Sequence, residues 1–450
     1  MADTELQKQT APEAAGQQEQ KEKKDISNLL AKYGGFNAVR SILPDADNMN
    51  PARKAQLAIF LNDKRFKDKR ESLAEDLRAW IELLNEDHGT ITEYTESCKQ
   101  KEEKYQKVLN QGITDALFAT KNLERSYRSL AAFFATANTD KVKNLRVINV
   151  YKDDIADPES GFAGEVENIL RDGFDRLSLK DSYSLLVVSD SVFDKVSLLQ
   201  WAKMAFKYKV LLVTDHADEF SFDDLYNNTE GYHDSDQCLQ NVVMTANWIV
   251  GRDAEKLSED EKDEPAFFIY PSGALAGKLY DESANMAQGA GGKKYGTLDG
   301  VKGVRNDLLK SQIASLMDNQ VIPMVYSEGR VMAFNNTTLY NGDNTAMKEY
   351  PIVRVFDWVK KVLMNYVHEV ALENWDPFNS PKNLKSKLQA FLNDYKGYGN
   401  LFQDYKIGEP TQDPVTKRIT CDISLTPFYS AKNFVIKVAA DRNDKSADVQ

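Results

Sequence analysis

Ala266-Phe267-Phe268-Ile269-Tyr270-Pro271-Ser272-Gly273-Ala274-Leu275-Ala276-Gly277 is the stretch from which the fold can be read. Five apolar or aromatic residues in succession predict a buried strand, and the proline and small residues behind them predict an abrupt change of direction. An ordered series follows. Leu308, Leu309, Ile313 and Leu316 carry a helical period, and residues 321–326 and 331–334 flank Ser327-Glu328-Gly329-Arg330 as the arms of a hairpin. From Pro351, the residues Ile352, Val355, Phe356, Val359, Val362, Leu363, Tyr366, Val367 and Val370 advance by three or four and predict a long amphipathic helix. Proline suits the first turn, where its missing N–H would have no helical partner. Ser380-Pro381 repeats that start before Leu384, Leu388, Phe391, Leu392 and Tyr395, with Gly397 as the stop. Ile419, Cys421, Ile423 and Leu425 alternate with Thr420, Asp422, Ser424 and Thr426, so residues 419–426 are expected to form a half-buried strand. Phe434, Val435, Ile436, Lys437 and Val438 predict another, close to the end of the sequence. An extended segment there can pair with another molecule, so the expectation is assembly rather than catalysis.

Upstream, Leu73, Leu77, Trp80, Ile81 and Leu84 open a helical region over residues 70–135. Strands are expected at 145–150, 185–188 and 210–214, with a crossover helix at 196–206 marked by Leu198, Leu199, Ala202 and Ala205. Strand, helix and strand in that order favour parallel pairing. The chain therefore divides into a disordered tail at 1–24, an arm with a short helix at 25–65, and a helical segment with an α/β domain at 66–265. A C-terminal domain at 266–440 and a flexible tail at 441–450 complete it. In the arm, Asp25 caps a helix that carries Ile26, Leu29 and Leu30 on one side and stops at Gly34-Gly35. The fold class is mixed α/β.

Composition narrows the function. Among 450 residues, 57 are basic and 69 acidic, a net charge of −12 with no basic stripe, which argues against nucleic acid as a partner. No apolar run approaches the roughly 20 residues that span a bilayer, so no membrane insertion is expected. Cys98, Cys238 and Cys421 are odd in number and far apart; they imply no disulfide framework and point to a reducing cytosol.

The chemical candidates are few. Gly273-Ala274-Leu275-Ala276-Gly277-Lys278-Leu279 has one residue too few between its glycines for a phosphate loop, and Leu279 replaces the magnesium-binding hydroxyl. Gly289-Ala290-Gly291-Gly292-Lys293-Lys294 also lacks that hydroxyl and is expected to be a mobile glycine-rich loop. Asp215, His216 and Asp218 with His233, Asp234, Asp236 and Cys238 offer metal-ligating atoms, but without paired Cys or His spacing. His88 and His368 have no partner at catalytic spacing. No catalytic residue, cofactor or metal ligand is assigned. The reading from a different class, a nucleotide- or metal-dependent α/β enzyme, would need one of these loops to work.

The order of motifs resembles the contractile tail sheath family, above all the large sheath subunit of type VI secretion systems, TssC/VipB. The resemblance rests on Pro271 to Gly277, on Gly329-Arg330-Val331-Met332-Ala333-Phe334-Asn335-Asn336-Thr337-Thr338-Leu339, on Val353-Arg354-Val355-Phe356-Asp357-Trp358-Val359, and on Trp375-Asp376-Pro377-Phe378-Asn379. Leu123-Glu124-Arg125-Ser126-Tyr127-Arg128-Ser129-Leu130, ahead of Leu145-Arg146-Val147-Ile148-Asn149-Val150, points to the type VI branch. Tyr127 stands where the family usually has Trp, which marks a divergent member.

The resemblance implies a contractile tail-sheath fold with mixed sheets flanked by helices and extended N- and C-terminal arms. It implies a structural subunit that polymerises with copies of itself and a small sheath subunit (TssB/VipA-like) around an inner Hcp-like tube. That sheath stands on a baseplate docked to the inner membrane, on the cytoplasmic side of a bacterium, and contracts without a cofactor. A phage-like or extracellular injection sheath would instead be a homopolymer. Carried onto this chain, Phe434, Val435, Ile436, Lys437 and Val438 become the interlacing strand, and Ile419, Cys421, Ile423 and Leu425 its sheet partner. Ile26, Leu29 and Leu30 become the grip of a ClpV-like AAA+ unfoldase, and Lys382, Lys385 and Lys387 a tube-facing patch.

Overall fold

The computed structural model describes residues 62–85, 91–157, 160–176, 179–253, 266–281, 286–369 and 374–431. The chain forms two compact units, 1–112 and 113–450. Helix α1 (Lys67–Asn85) belongs to the first, and α2 (Ile91–Thr136), 46 residues long, runs on into the second. The larger unit continues through α3 (Lys152–Ala156), α4 (Gly161–Phe174), β1 (Leu185–Val188), α5 (Lys195–Tyr208), β2 (Leu211–Asp215), α6 (Phe222–Thr229) and β3 (Val242–Ala246). Then come β4 (Ile249–Asp253), β5 (Ala266–Ile269), α7 (Ser272–Lys278), α8 (Gly292–Tyr295), α9 (Lys310–Asp318), β6 (Ile322–Ser327) and β7 (Arg330–Ala333). The C-terminal part holds α10 (Tyr350–Glu369), α11 (Ser380–Asn393), β8 (Asp404–Ile407), β9 (Thr411–Gln412), β10 (Ile419–Thr420) and β11 (Ile423–Thr426).

One five-stranded sheet, in the order β1-β2-β3-β6-β7, organises the larger unit. Its first four strands are parallel, and β7 returns antiparallel to β6. Its apolar residues alternate between two cores, as a sheet covered on both faces requires. Leu212, Val242, Met244 and Val325 join one core with Leu198, Trp201 and Leu316. Leu211, Val213, Val243, Ile322 and Met324 join the other with Ala274 and Leu275. Because β6 and β7 share this sheet with β1 to β3, the break expected at 265 and 266 does not divide the core.

Local chemistry explains the elements that were expected. Asp194 caps α5 by accepting the Val196 and Ser197 amides, and the expected crossover helix joins the parallel pair β1 and β2. The β6–β7 turn is closed by Glu328 and Gly329, both at positive φ (51° and 78°), the two-residue geometry that matches strand twist. Helix α10 begins one residue ahead of Pro351, and α11 has proline in its first turn.

Three expectations need correction. Residues 145–150 form no strand, and among the described residues their backbone makes no hydrogen bond. The single strand expected over 419–426 is two, β10 and β11, which pair with different partners on either side of Cys421 and Asp422. The loop around Gly289 is packed in place: the buried Ala290 amide donates to Tyr350 Oη at 2.7 Å, and the Tyr350 hydroxyl donates to Asn336 Oδ1 at 3.1 Å.

Candidate interaction surfaces

The small residues after β5 fold into α7, whose residues are all buried. A Cβ at Gly273 would lie 2.4 Å from the Ser129 carbonyl oxygen, and one at Gly277 would lie 2.4 Å from that of Phe133. These glycines exist so that α7 can touch α2, which leaves no cradle for a phosphate. Lys278 is turned to Asp281.

The motif from Leu123 to Leu130 divides by face. Its inner side clamps the antiparallel pair β4 and β5. Arg125 Nε donates to the Phe268 carbonyl at 3.2 Å, with its guanidinium 4.9 Å from the Trp248 ring centre. Ser129 Oγ donates to the Tyr270 carbonyl at 3.2 Å. Glu124 accepts from Arg128 and Arg252 at 2.7 and 2.9 Å. Burial alone would raise its carboxyl, but the bonds from Arg252 and Arg128 override that and hold it below the usual range. The outer side leaves Leu123 and Tyr127 more than two-thirds exposed.

The metal candidates are taken up by the fold. Asp215, at the end of β2, is buried and accepts the Ser272 amide at 2.7 Å and the Ser272 hydroxyl at 2.6 Å, capping α7. Burial raises its carboxyl to about 7, against the lowering effect of those bonds. Asp218 is ion-paired with Arg305. His216 is buried edge-on to Tyr232, and burial holds its imidazole below the usual value. The Cys238 thiol is pushed up to about 12, by burial first and then by Asp236. Among the described residues no three His, Cys, Asp or Glu side chains gather as a metal site.

The motif from Val353 to Val359 reveals a polar stripe that the amphipathic reading overlooked. Arg354, Asp357 and Lys361, three and four residues apart, line a cavity of about 170 Å³ with Tyr183, Lys209 and Trp358. Asp357 accepts from Asn241 Nδ2 at 2.6 Å, and Lys361 Nζ donates to the Tyr183 carbonyl at 2.7 Å. Burial pushes Lys361 down to about 8.

The C-terminal elements form a separate core. Val355, Val359, Leu392 and Phe402 are buried there, with Tyr405, Ile407, Ile423 and Leu425 against them. β11 pairs antiparallel with β8 only, so among the described residues its other edge is free. Ile423 and Leu425 thus sit in a two-stranded sheet, Ile419 lies in β10, and Cys421 falls between the two. The proposed interlacing strand, Phe434 to Val438, and the arm residues Ile26, Leu29 and Leu30 lie outside the described residues, as does His88. Lys382 and Lys387 are exposed on α11, whereas Lys385 is paired with Glu409.

Three sequence families match the chain in order. They are the TssC/VipB-like N-terminal region at 23–113, the type VI secretion system TssC/VipB central domain at 115–341, and the TssC/VipB-like C-terminal domain at 349–450. The chain belongs to the TssC/VipB family of type VI secretion sheath proteins, and is a structural sheath subunit. Among curated proteins none matches.

Solved structures similar to it include a PVC sheath complex of an extracellular contractile injection system in its contracted state (11% identity, TM-score 0.44, 70% of this chain and 80% of that one). The anti-feeding prophage baseplate matches at 15% identity and TM-score 0.42, over 57% and 68% of the two chains. A sheath tail protein from Desulfitobacterium hafniense matches at 10% and 0.34, over 54% and 56%. Among the described residues no helix is long and apolar enough to cross a membrane.

Proposed function

We propose that this chain is the large subunit of a heteromeric contractile sheath, polymerising with a small sheath subunit around an inner Hcp-like tube and contracting to drive that tube outward. The observation that carries this is the placement of its apolar surface. Asp215 and Asp218 are taken up by internal bonds, while Phe118, Leu123, Tyr127, Leu145, Val147 and Ile148 are exposed. Exposed apolar side chains recurring along α2 and again through 145–148 are what an assembly interface would bury.

The five-stranded sheet moves as a rigid body, and contraction exchanges one packing between subunits for another of lower free energy, with no nucleotide at the sheath. The strand at 434–438 adds to the free edge of β11 in a neighbour, holding copies together through the change. Contacts that do not close into a ring propagate as a helix. On this reading the sheath stands on a baseplate at the inner membrane, on its cytoplasmic side. A ClpV-like unfoldase recycles it by gripping Ile26, Leu29 and Leu30, and Ser at all three should spare assembly and block disassembly.

Negative-stain electron microscopy tests the function. Tubes should form when the chain is co-expressed with its small-subunit neighbour and not when it is expressed alone. Tubes from the chain alone would mean a homopolymer, and compact particles in both cases would overturn the sheath.

A further inference from the structure

In the cavity beside α10, three cations face one carboxylate among the described residues. Arg354, Asp357 and Lys361 reach it from α10 and Lys209 from the end of α5, with Leu211 and Trp358 in the wall. Asp357 is already engaged on both oxygens. One accepts from Asn241 at 2.6 Å, and the other lies 4.0 Å from Lys209 Nζ. Lys361 has only the neutral Tyr183 carbonyl, at 2.7 Å. Arg354 has less still: among the described residues its guanidinium makes no hydrogen bond and no ion pair. Its N–H donors are all unspent against the cavity. Burial lowers Arg354 from its ordinary value and pushes Lys361 down to about 8, as happens where buried cations lack enough opposite charge.

Lys209 adds an independent sign. It ends α5 in the left-handed conformation, at φ 54°, where glycine is the usual residue. A lysine there strains the backbone, and its side chain is what lines the cavity beside Asp357.

Size and charge select the ligand. The cavity, about 170 Å³, is below the roughly 300–1,000 Å³ of sites for drug-sized molecules, which excludes a nucleotide and leaves room for one compact ion. Three cations against one carboxylate leave a formal excess of two positive charges. A guanidinium fork takes the oxygens of an oxyanion in pairs.

We propose that this cavity binds a phosphate dianion, as the free ion or as a compact monoester, with Arg354 gripping two oxygens and Lys361 and Lys209 neutralising the rest. The bound ion ties α10, which carries Val355 and Val359 of the C-terminal core, to the end of α5 and the approach to β1.

Isothermal titration of the full chain with inorganic phosphate, and separately with methyl phosphate, tests the site at constant ionic strength. One ion should bind per chain, and the melting midpoint should rise above that in matched chloride. Tighter binding of inorganic phosphate would make the free ion the ligand, and tighter binding of methyl phosphate a monoester. Arg354→Gln should weaken binding about tenfold or more, Arg354→Lys less, and Lys310→Gln, at an exposed position, not at all. Circular dichroism checks that each variant is folded, and Lys361→Gln, expected to weaken binding as well, serves if Arg354→Gln is not. Absence of saturable binding, or an affinity that neither Arg354→Gln nor Lys361→Gln changes, would mean an adventitious ion only and overturn the site. Binding that appears only after Glu282→Gln, shortly ahead of the cavity residue Met286 in the sequence, would mean that the chain fills the cavity with its own carboxylate, and would overturn it equally.

Discussion

The sheet centred on β2 and β3 and the stretch at 145–150 are built from the same residue types and meet opposite fates. In β2 and β3 every residue is buried, both faces are covered, and each backbone edge is paired. In 145–150 the same Leu, Val and Ile are about half exposed, and among the described residues the backbone is unpaired. Sequence pattern specifies what a segment needs, but whether its own chain supplies it depends on topology. A subunit that satisfies every strand internally has nothing to polymerise with. This one closes its centre and leaves strands at its margins.

The contrast can be broken most severely at the margin. Removing residues 432–450 should leave a folded subunit with no tubes under co-expression, and normal tubes would remove the C-terminal role. At the centre, Gly277→Val drives a side chain into the Phe133 carbonyl and Thr136 and should cost about 3 kcal/mol in urea unfolding.

A matched pair sharpens the comparison. Leu212→Ala should cost about 3 kcal/mol, because its site is completely buried and cannot collapse. Leu145→Ser should change unfolding of the isolated chain by less than about 0.5 kcal/mol while weakening co-assembly. Equal losses in urea would mean that the two regions are not different in kind.

The smallest effect is a pH slope. Asp215 has its carboxyl raised in the folded state to about 7, so the native chain holds a proton that the unfolded chain releases from about pH 4 upward. Its contribution to stability is therefore fully present below about pH 4 and is lost as pH rises toward 7. Asp215→Asn should remove that loss, unfolding like the parent below about pH 4 and gaining on it progressively from there toward pH 8. A thermal-melt difference that does not vary with pH would contradict the assignment.

What the sequence disclosed follows the same division. The crossover from β1 to β2, the β6–β7 hairpin and the two proline-started helices were legible because their periodicity and caps are local. Alternation over 419–426 was legible too, but not its division at Cys421 and Asp422, since β8 and β9 approach from elsewhere in the chain. Gly273 and Gly277 gave a turn signal whose true cause is Ser129 and Phe133, more than 130 residues away. Arg354, Asp357 and Lys361 were visible as polar spacing but not as a cavity, which needs Tyr183 and Lys209. Residues 145–150 read as a strand; what the sequence alone did not reveal is that no described residue of their own chain pairs with them.

Hydrogen–deuterium exchange of 145–150, measured on the isolated chain and on assembled tubes, tests the central claim most directly. The amides should exchange without protection in the isolated chain and become as slow as those of β2 in the tube. Fast exchange in both states, or full protection in the isolated chain, would contradict a margin that is ordered only by assembly.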